Sequence, residues 1–287
     1  MTAAERAVQE SEPLAGLAGK IELGDEISVS RLGFGAMRLP GVRGPGDPRA
    51  AHRLLRRGIE LGVNFIDTAH AYGPETSERL IAEALHPYPE DLIVATKSGY
   101  GRGRSGEWLR DGRPETIRRQ VERSLELLRL ERIDLLQLHV VDPAVRIEDS
   151  VGAMVELQAG GKVRRIGVSN VSVDELGRAR AVGEIASVQN RYSVADRRSE
   201  DVLAVCERDG IAFLPWFPLG AGALTRARGL EPVAGAHGAT AAQVALAWLL
   251  QRSPVMLPIP GTSSIAHLEE NVAAAGVRLS EEEFRRL

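Results

Sequence analysis

Cysteine is almost absent from this chain. The single thiol, Cys206, excludes an internal disulfide and suits a reducing compartment, where it reads as inert helix core. Aromatic residues are scarce at 4%, so a tyrosine or tryptophan in a polar loop stands out. Neither sign of charge dominates. A formal net charge of -3 gives no electrostatic reason to expect nucleic acid or an anionic membrane as partner. No apolar run approaches the ~20 residues that cross a bilayer. The opening stretch MTAAERAVQESEPLAGLAGK lacks the apolar centre of a secretory signal, so a cytoplasmic location is expected. Three kinds of chemistry lack their markers. Cys and His residues nowhere show metal-ligand spacing. There is no Gly-x-Ser-x-Gly elbow for acyl transfer. There is also no Gly-rich strand-to-helix fingerprint followed by an acidic residue ~20 positions on.

What is present is regular alternation. Short apolar runs fall at 32–37, 64–69, 92–98, 134–139, 164–170, 187–190, 212–217 and 255–260. Amphipathic helical stretches lie between and after them, at 48–62, 75–86, 114–129, 148–160, 172–183, 199–209, 240–252 and 264–275. Pro114, Asp149 and Thr240 mark helix starts. A strand followed by a helix, repeated, implies parallel pairing through crossover helices. Without the dinucleotide fingerprint of a doubly wound sheet, the expected fold is an α/β (β/α)8 TIM barrel. The stretch KIELGDEISVSRLG, before the first strand, reads as an N-terminal β-hairpin cap with a Gly-Asp turn. Residues 1–18 are expected to be a poorly ordered tail, and 19–287 a single barrel domain, monomeric by default. The Gly- and Arg-rich loop 99–113 is expected to be long and exposed.

In a barrel the chemistry sits where strands end, at the C-terminal face. NFIDTAHAYG, residues 64–73, places Asp67 at the end of strand 2 and Tyr72 in the loop after it. Strand 3 ends with Lys97 and strand 4 with His139. Any one of these has a bland reading: a loop cap, a solvated strand end, a satisfied buried histidine. Together they make a specific device. An ammonium beside a phenol favours the phenolate and lowers its pKa, a carboxylate holds the ammonium, and a neutral imidazole orients a carbonyl oxygen. A tuned proton donor of this kind needs a partner such as a hydride. His70 is not assigned a catalytic role, although it is near enough to face the cleft. Trp108 and one arginine of 99–113 are candidates for the substrate pocket.

The stretches NFIDTAHAYG, ATKS, LLQLH, GKVRRIGVSN, VQNRYS, FPLGAG and IPGTSSIAHLEEN, in this order, resemble the aldo/keto reductases from about residue 20 to 287. ALAWLLQRSP and the IPGTSS segment look most like bacterial members of the pyridoxal reductase type. The resemblance implies a barrel that binds extended NADPH, with NADH not excluded, and passes a hydride to a small-molecule aldehyde or ketone. It implies Tyr72 as proton donor, Lys97 and Asp67 as its tuning pair, and His139 as the carbonyl-orienting group. Ser169, Asn170 and Gln189 are expected on the nicotinamide carboxamide and Trp216 on the ring. Leu219, Gly220 and Gly222 are expected along the pyrophosphate. Many relatives read the 2'-phosphate with a Lys-Ser pair and a later Arg; here those places hold Gly261, Thr262 and His267. Ser263, Ser264 and the amides opening helix 264–275 remain as phosphate donors. Glu270 and Asn271 are expected at the adenine. Two other functions stay open: a lyase or aldolase using Lys97 as a Schiff-base amine, and a cofactor-bound sensor subunit without turnover.

Overall fold

The computed structural model describes residues 13–39, 41, 46–103, 105–220 and 229–287. In chain order the strands are β1 (Lys20–Glu22), β2 (Ser28–Ser30), β3 (Phe34–Gly35), β4 (Phe65–Asp67), β5 (Ile93–Ser98), β6 (Tyr100–Arg102), β7 (Trp108–Arg110), β8 (Ile133–Leu138), β9 (Val163–Ser169), β10 (Ser187–Gln189) and β11 (Ala212–Phe213). The α-helices are α1 (Pro48–Glu60), α2 (Thr76–Leu85), α3 (Pro114–Leu128), α4 (Ile147–Ala159), α5 (Val173–Arg180), α6 (Glu200–Asp209), α7 (Glu231–Ala236), α8 (Ala241–Arg252), α9 (Ile265–Ala273) and α10 (Glu281–Arg286). Helix starts follow local chemistry. Asp47 caps α1 ahead of Pro48, and Thr240 and Gln243 form a capping box at α8. None of the described helices is long and apolar enough to cross a membrane.

Seven strands form one parallel sheet in the order β3-β4-β5-β8-β9-β10-β11. The expected eighth strand, 255–260, lies in the gap between the two edges without being a strand of the sheet. On one side Phe213 N–H donates to Val255 O at 2.8 Å and Leu257 N–H to Phe213 O at 2.9 Å. On the other, Gly33 N–H donates to Pro258 O at 3.0 Å and Gly35 N–H to Pro260 O at 3.3 Å. Pro258 and Pro260 have no N–H to return, so the segment bridges both edges yet cannot make a full ladder. Glycine makes this junction feasible: a Cβ on Gly261 would stand 2.6 Å from Gly35 O. The sheet thus curls into a TIM-barrel-like α/β fold.

Alternation along each strand sorts the core into two regions. Phe65, Ile93, Ala95, Leu135, Ala212, Leu214, Leu257 and Ile259 share one cluster inside the curled sheet. Ile66 and Val94 face α1 and α2 instead, and Leu136, Val168 and Val188 face the helices of the other half. Ile21, Leu23, Ile27 and Val29, from β1, β2 and the turn between them, join the inner cluster.

Three expectations need correction. Residues 14–18, placed in a poorly ordered tail, form a 3-10 turn; Ala15 is buried there and its N–H donates to Leu61 O at 3.0 Å. Residues 1–12 lie outside the described residues. The loop 99–113 is largely a β-hairpin, β6 against β7. Helices α7 and α10 were not expected from periodicity, because six residues are too few to show it.

Candidate active site

The inward-facing set changes character at the C-terminal ends of the strands. Two residues beyond Phe65 stands Asp67; two beyond Ala95 stands Lys97; two beyond Leu135 stands Gln137, then His139. The register pairs Lys97 with Gln137 and Gln189 with Ser169 across neighbouring strands. An apolar interior is thereby roofed by a polar layer.

Lys97 is the centre of that layer. Its Nζ donates to Asp67 Oδ2 at 2.6 Å, to Thr68 O at 2.8 Å and to the Tyr72 hydroxyl at 3.3 Å. Asp67 Oδ1 accepts from Gln189 Nε2 at 2.8 Å and Gln137 Nε2 at 3.1 Å. A buried ion pair is costly unless its remaining donors and acceptors are satisfied, and here they are. Burial works against the Lys97 ammonium. The Asp67 carboxylate and the phenol outweigh it and hold the amine above its ordinary 10.5.

Tyr72 departs from expectation. Burial pushes its phenol above the ordinary 10.0 and outweighs the downward pull of Lys97, so the hydroxyl is protonated at neutral pH. Lys97 is still the largest influence opposing that rise. His139 is held well below its ordinary 6.5, by burial first and then by the charges of Lys97 and Arg102, so its imidazole is neutral. Its ring stands edge-on to Tyr72, with centroids 5.7 Å apart, and its buried Nδ1 has no hydrogen-bond partner among the described residues.

These groups open into a cleft of about 920 Å³. Asp67, Tyr72 and His139 line one end, with Ser169, Asn170, Gln189, Trp216 and Leu219 beside them and Gly261, Thr262, His267, Glu270 and Asn271 farther along. Several expected ligand groups already have protein partners. Asn170, in the left-handed region at φ 58, donates its amide to His139 O and Ser169 Oγ, both at 3.0 Å. Its Oδ1 accepts from Trp216 Nε1 at 3.0 Å, so it fixes the indole as well. Ser169 Oγ donates to Gln189 O at 2.7 Å. Gln189 spends its N–H groups on Asp67 and Gln137, which leaves Oε1 for a ligand. Ser264 Oγ caps α9 at His267 N–H, Thr262 Oγ1 accepts from Ser264 N–H at 3.0 Å, and Glu270 accepts from the Thr240 hydroxyl. Gly220, Ser263 and Ser264 are not among the lining residues, and Gly222 lies outside the described residues.

His70 does not line the cleft; its Nδ1 sits 3.9 Å from the buried Glu78 carboxylate. Gln137 went unnoticed in the sequence. The signal was present, since LLQLH places it two residues before His139 and so on the same strand face. Tyr100 was also missed. Its ring lies 4.9 Å from both Trp108 and His139. Nothing in the sequence of a Gly-rich loop indicated that it folds back over the cleft.

The aldo/keto reductase family model matches residues 31–287. The chain is 46% identical over 266 residues to pyridoxine 4-dehydrogenase of Escherichia coli (strain K12), covering 89% of this chain and 92% of that protein. Among solved structures it resembles the glycerol dehydrogenase AKR11B4 from Gluconobacter oxydans, with a TM-score of 0.86 and 27% identity over 93% of each chain. An aldo/keto reductase from Klebsiella pneumoniae, in complex with NADP and acetate, superposes with a TM-score of 0.81 and 28% identity, again over 93% of each chain.

Proposed function

This chain belongs to the aldo/keto reductase family, and from that premise we propose an NADPH-dependent reductase of small aldehydes and ketones, with pyridoxal or another aromatic aldehyde as substrate. It is an oxidoreductase. The observation that carries the reading is the position of Lys97 Nζ, 2.6 Å from Asp67 and 3.3 Å from the Tyr72 hydroxyl, both of which line the cleft.

The cleft suits an extended nicotinamide cofactor. Its length runs from the Tyr72 hydroxyl to α9, Trp216 offers an aromatic face, and Gln189 keeps an amide oxygen unused. Ser169, Asn170, Gln189 and Trp216 would hold the nicotinamide, Leu219, Gly220 and Gly222 the pyrophosphate, and 261–271 the adenosine end. When bound, the cofactor supplies the hydride. Tyr72 then gives its proton to the carbonyl oxygen, a general-acid contribution of about 10²–10⁴-fold. Lys97 offsets the charge left on the phenol oxygen, Asp67 keeps the ammonium in place, and neutral His139 orients the carbonyl by a hydrogen bond. Gln137 and Gln189 fix the Asp67 carboxylate. The Schiff-base alternative finds no support here. All three Lys97 N–H donors are engaged, and an amine held charged has no lone pair for attack.

The same reading makes 19–287 one closed barrel, with the β1–β2 hairpin as its floor. Support comes from the hairpin's apolar side chains in the inner cluster and from the 255–260 bridge. We read the working form as a cytoplasmic monomer. The decisive assay follows NADPH oxidation with pyridoxal and a panel of aromatic aldehydes. Turnover lost in Tyr72→Phe with NADPH binding kept is the expected result. An unchanged rate in that variant removes Tyr72 as the acid, and tight NADPH binding without any turnover favours the sensor reading.

A further inference from the structure

The β6–β7 hairpin presents two different faces. Its register pairs Tyr100 with Arg110 and Arg102 with Trp108. Cross-strand partners and alternate residues share a face, so these four side chains stand together and Gly101 and Leu109 point away. The four-residue face is turned toward the catalytic end. The Trp108 ring lies 6.4 Å from Tyr72 and 5.8 Å from His139, and Tyr100 lies 4.9 Å from His139. Tyr100, Trp108 and Arg110 all line the cleft.

The two arginines of this face are in different states. Arg102 is committed to structure: its guanidinium lies 3.3 Å over the Trp108 ring and donates to Ala71 O at 3.3 Å and Gly106 O at 2.8 Å. This clamp joins the hairpin to the loop carrying Tyr72. Arg110 has no hydrogen bond or ion pair from its side chain to any described residue, although it lines the cleft. The carboxylates that line the cleft are occupied. Asp67 is bound to Lys97, Glu175 closes the cap of α5 with Ser172, and Glu270 accepts from Thr240. Among the described residues this cation therefore has no counter-ion, and it stands two residues and about 7 Å along the strand from the indole beside Tyr72 and His139.

We propose that Arg110 is a specificity residue and that the cleft selects flat aromatic aldehydes bearing an anionic group, carboxylate or phosphate. The ring packs against the cleft side of the Tyr100–Trp108 pair with its aldehyde at Tyr72 and His139, and the anion pairs with the Arg110 guanidinium. A fork of N–H donors suits either oxyanion. The inference rests on the reductase reading for the placement of the aldehyde, but the charge selection can be measured apart from turnover.

The test uses two pairs of aldehydes matched in shape and differing in charge: 4-carboxybenzaldehyde with its methyl ester, and pyridoxal 5'-phosphate with pyridoxal. Affinity for the full chain is read from tryptophan fluorescence, and kcat/KM from NADPH oxidation. The wild type is expected to favour at least one charged member about tenfold or more, by affinity and through KM, less so at high salt. Arg110→Met is expected to bring that pair to parity. Preference in the first pair alone identifies a carboxylate ligand, and in the second alone a phosphate. A charge-blind wild type overturns the proposal, as does an Arg110→Met variant that keeps the preference. Charge-selective binding without turnover of any aldehyde supports the Arg110 site and sinks the reductase reading instead.

Discussion

Lys97 Nζ stands 3.3 Å from the hydroxyl of Tyr72, on a strand and a loop separated by 25 positions in sequence. The contact joins a buried charge to a buried phenol. It also gives each group a titration that depends on the other.

The pH profile should reveal which influence on the phenol prevails. With burial outweighing Lys97, the Tyr72 pKa lies above 10.0, so its proton is present throughout the neutral range. The rate of carbonyl reduction is expected to stay flat in kcat from pH 6 to 9, by this order of pKa values, and to fall only above about pH 10. A kcat profile under saturating NADPH checks this. A decline centred near neutrality would mean that Lys97 dominates once cofactor is bound.

Asp67 and Lys97 are both almost wholly buried, so removing either partner strands the other. Lys97→Met is expected to cost about 3–5 kcal/mol in stability along with activity. The double variant Lys97→Met with Asp67→Leu should recover a large part of the stability and none of the activity. Urea unfolding of the three variants provides the comparison. Additive losses in the double variant would show that the pair is not coupled.

Burial holds His139 and His70 below the ordinary histidine value of 6.5. A histidine with a depressed folded pKa takes up its proton first in the unfolded chain. Stability is therefore retained above about pH 6.5 and declines as the pH falls from there toward the folded pKa. His139→Gln should flatten part of that slope and leave the share of His70. Urea midpoints at about pH 7.5, 6.5 and 5.5 test it. Parallel curves for wild type and variant would assign the acid sensitivity elsewhere.

Gly261 leaves no room for a lysine, because any Cβ there meets Gly35 O at 2.6 Å. Gly261→Ala is expected to destabilise by about 1–3 kcal/mol. His267 lines the cleft and is the available position for a permanent cation. His267→Arg should raise the kcat/KM ratio of NADPH to NADH about tenfold, through KM. The ratio measured in wild type and variant decides, and an unmoved ratio would place the 2'-phosphate away from α9.

The expected helices at 114–129 and 240–252 agree with α3 and α8 to within a residue at either end, because Pro114 and the Thr240–Gln243 box act over one turn of chain. Strand ends were equally legible: Asp67 and Lys97 sit where an apolar run turns polar, and His139 interrupts one. The segment 255–260 reads as a strand for the same reason, although its prolines bar it from the ladder. The 99–113 hairpin was not legible. Its glycines suit a flexible loop, and what holds it over the cleft is the Arg102–Trp108 stack and a bond to Ala71 O, neither of which has a local signature.

The amino-acid order alone determined the repeating strand-helix units, the inward faces of the strands and the polar residues that close them. All three follow from patterns of two and 3.6 residues that a chain carries wherever it folds. Only the tertiary structure decided the balance of charge at Tyr72, the locking of Asn170 and Gln189 by protein partners, and the place of Arg110 on the cleft wall. These depend on desolvation and on distances between residues far apart in sequence, which no local pattern encodes.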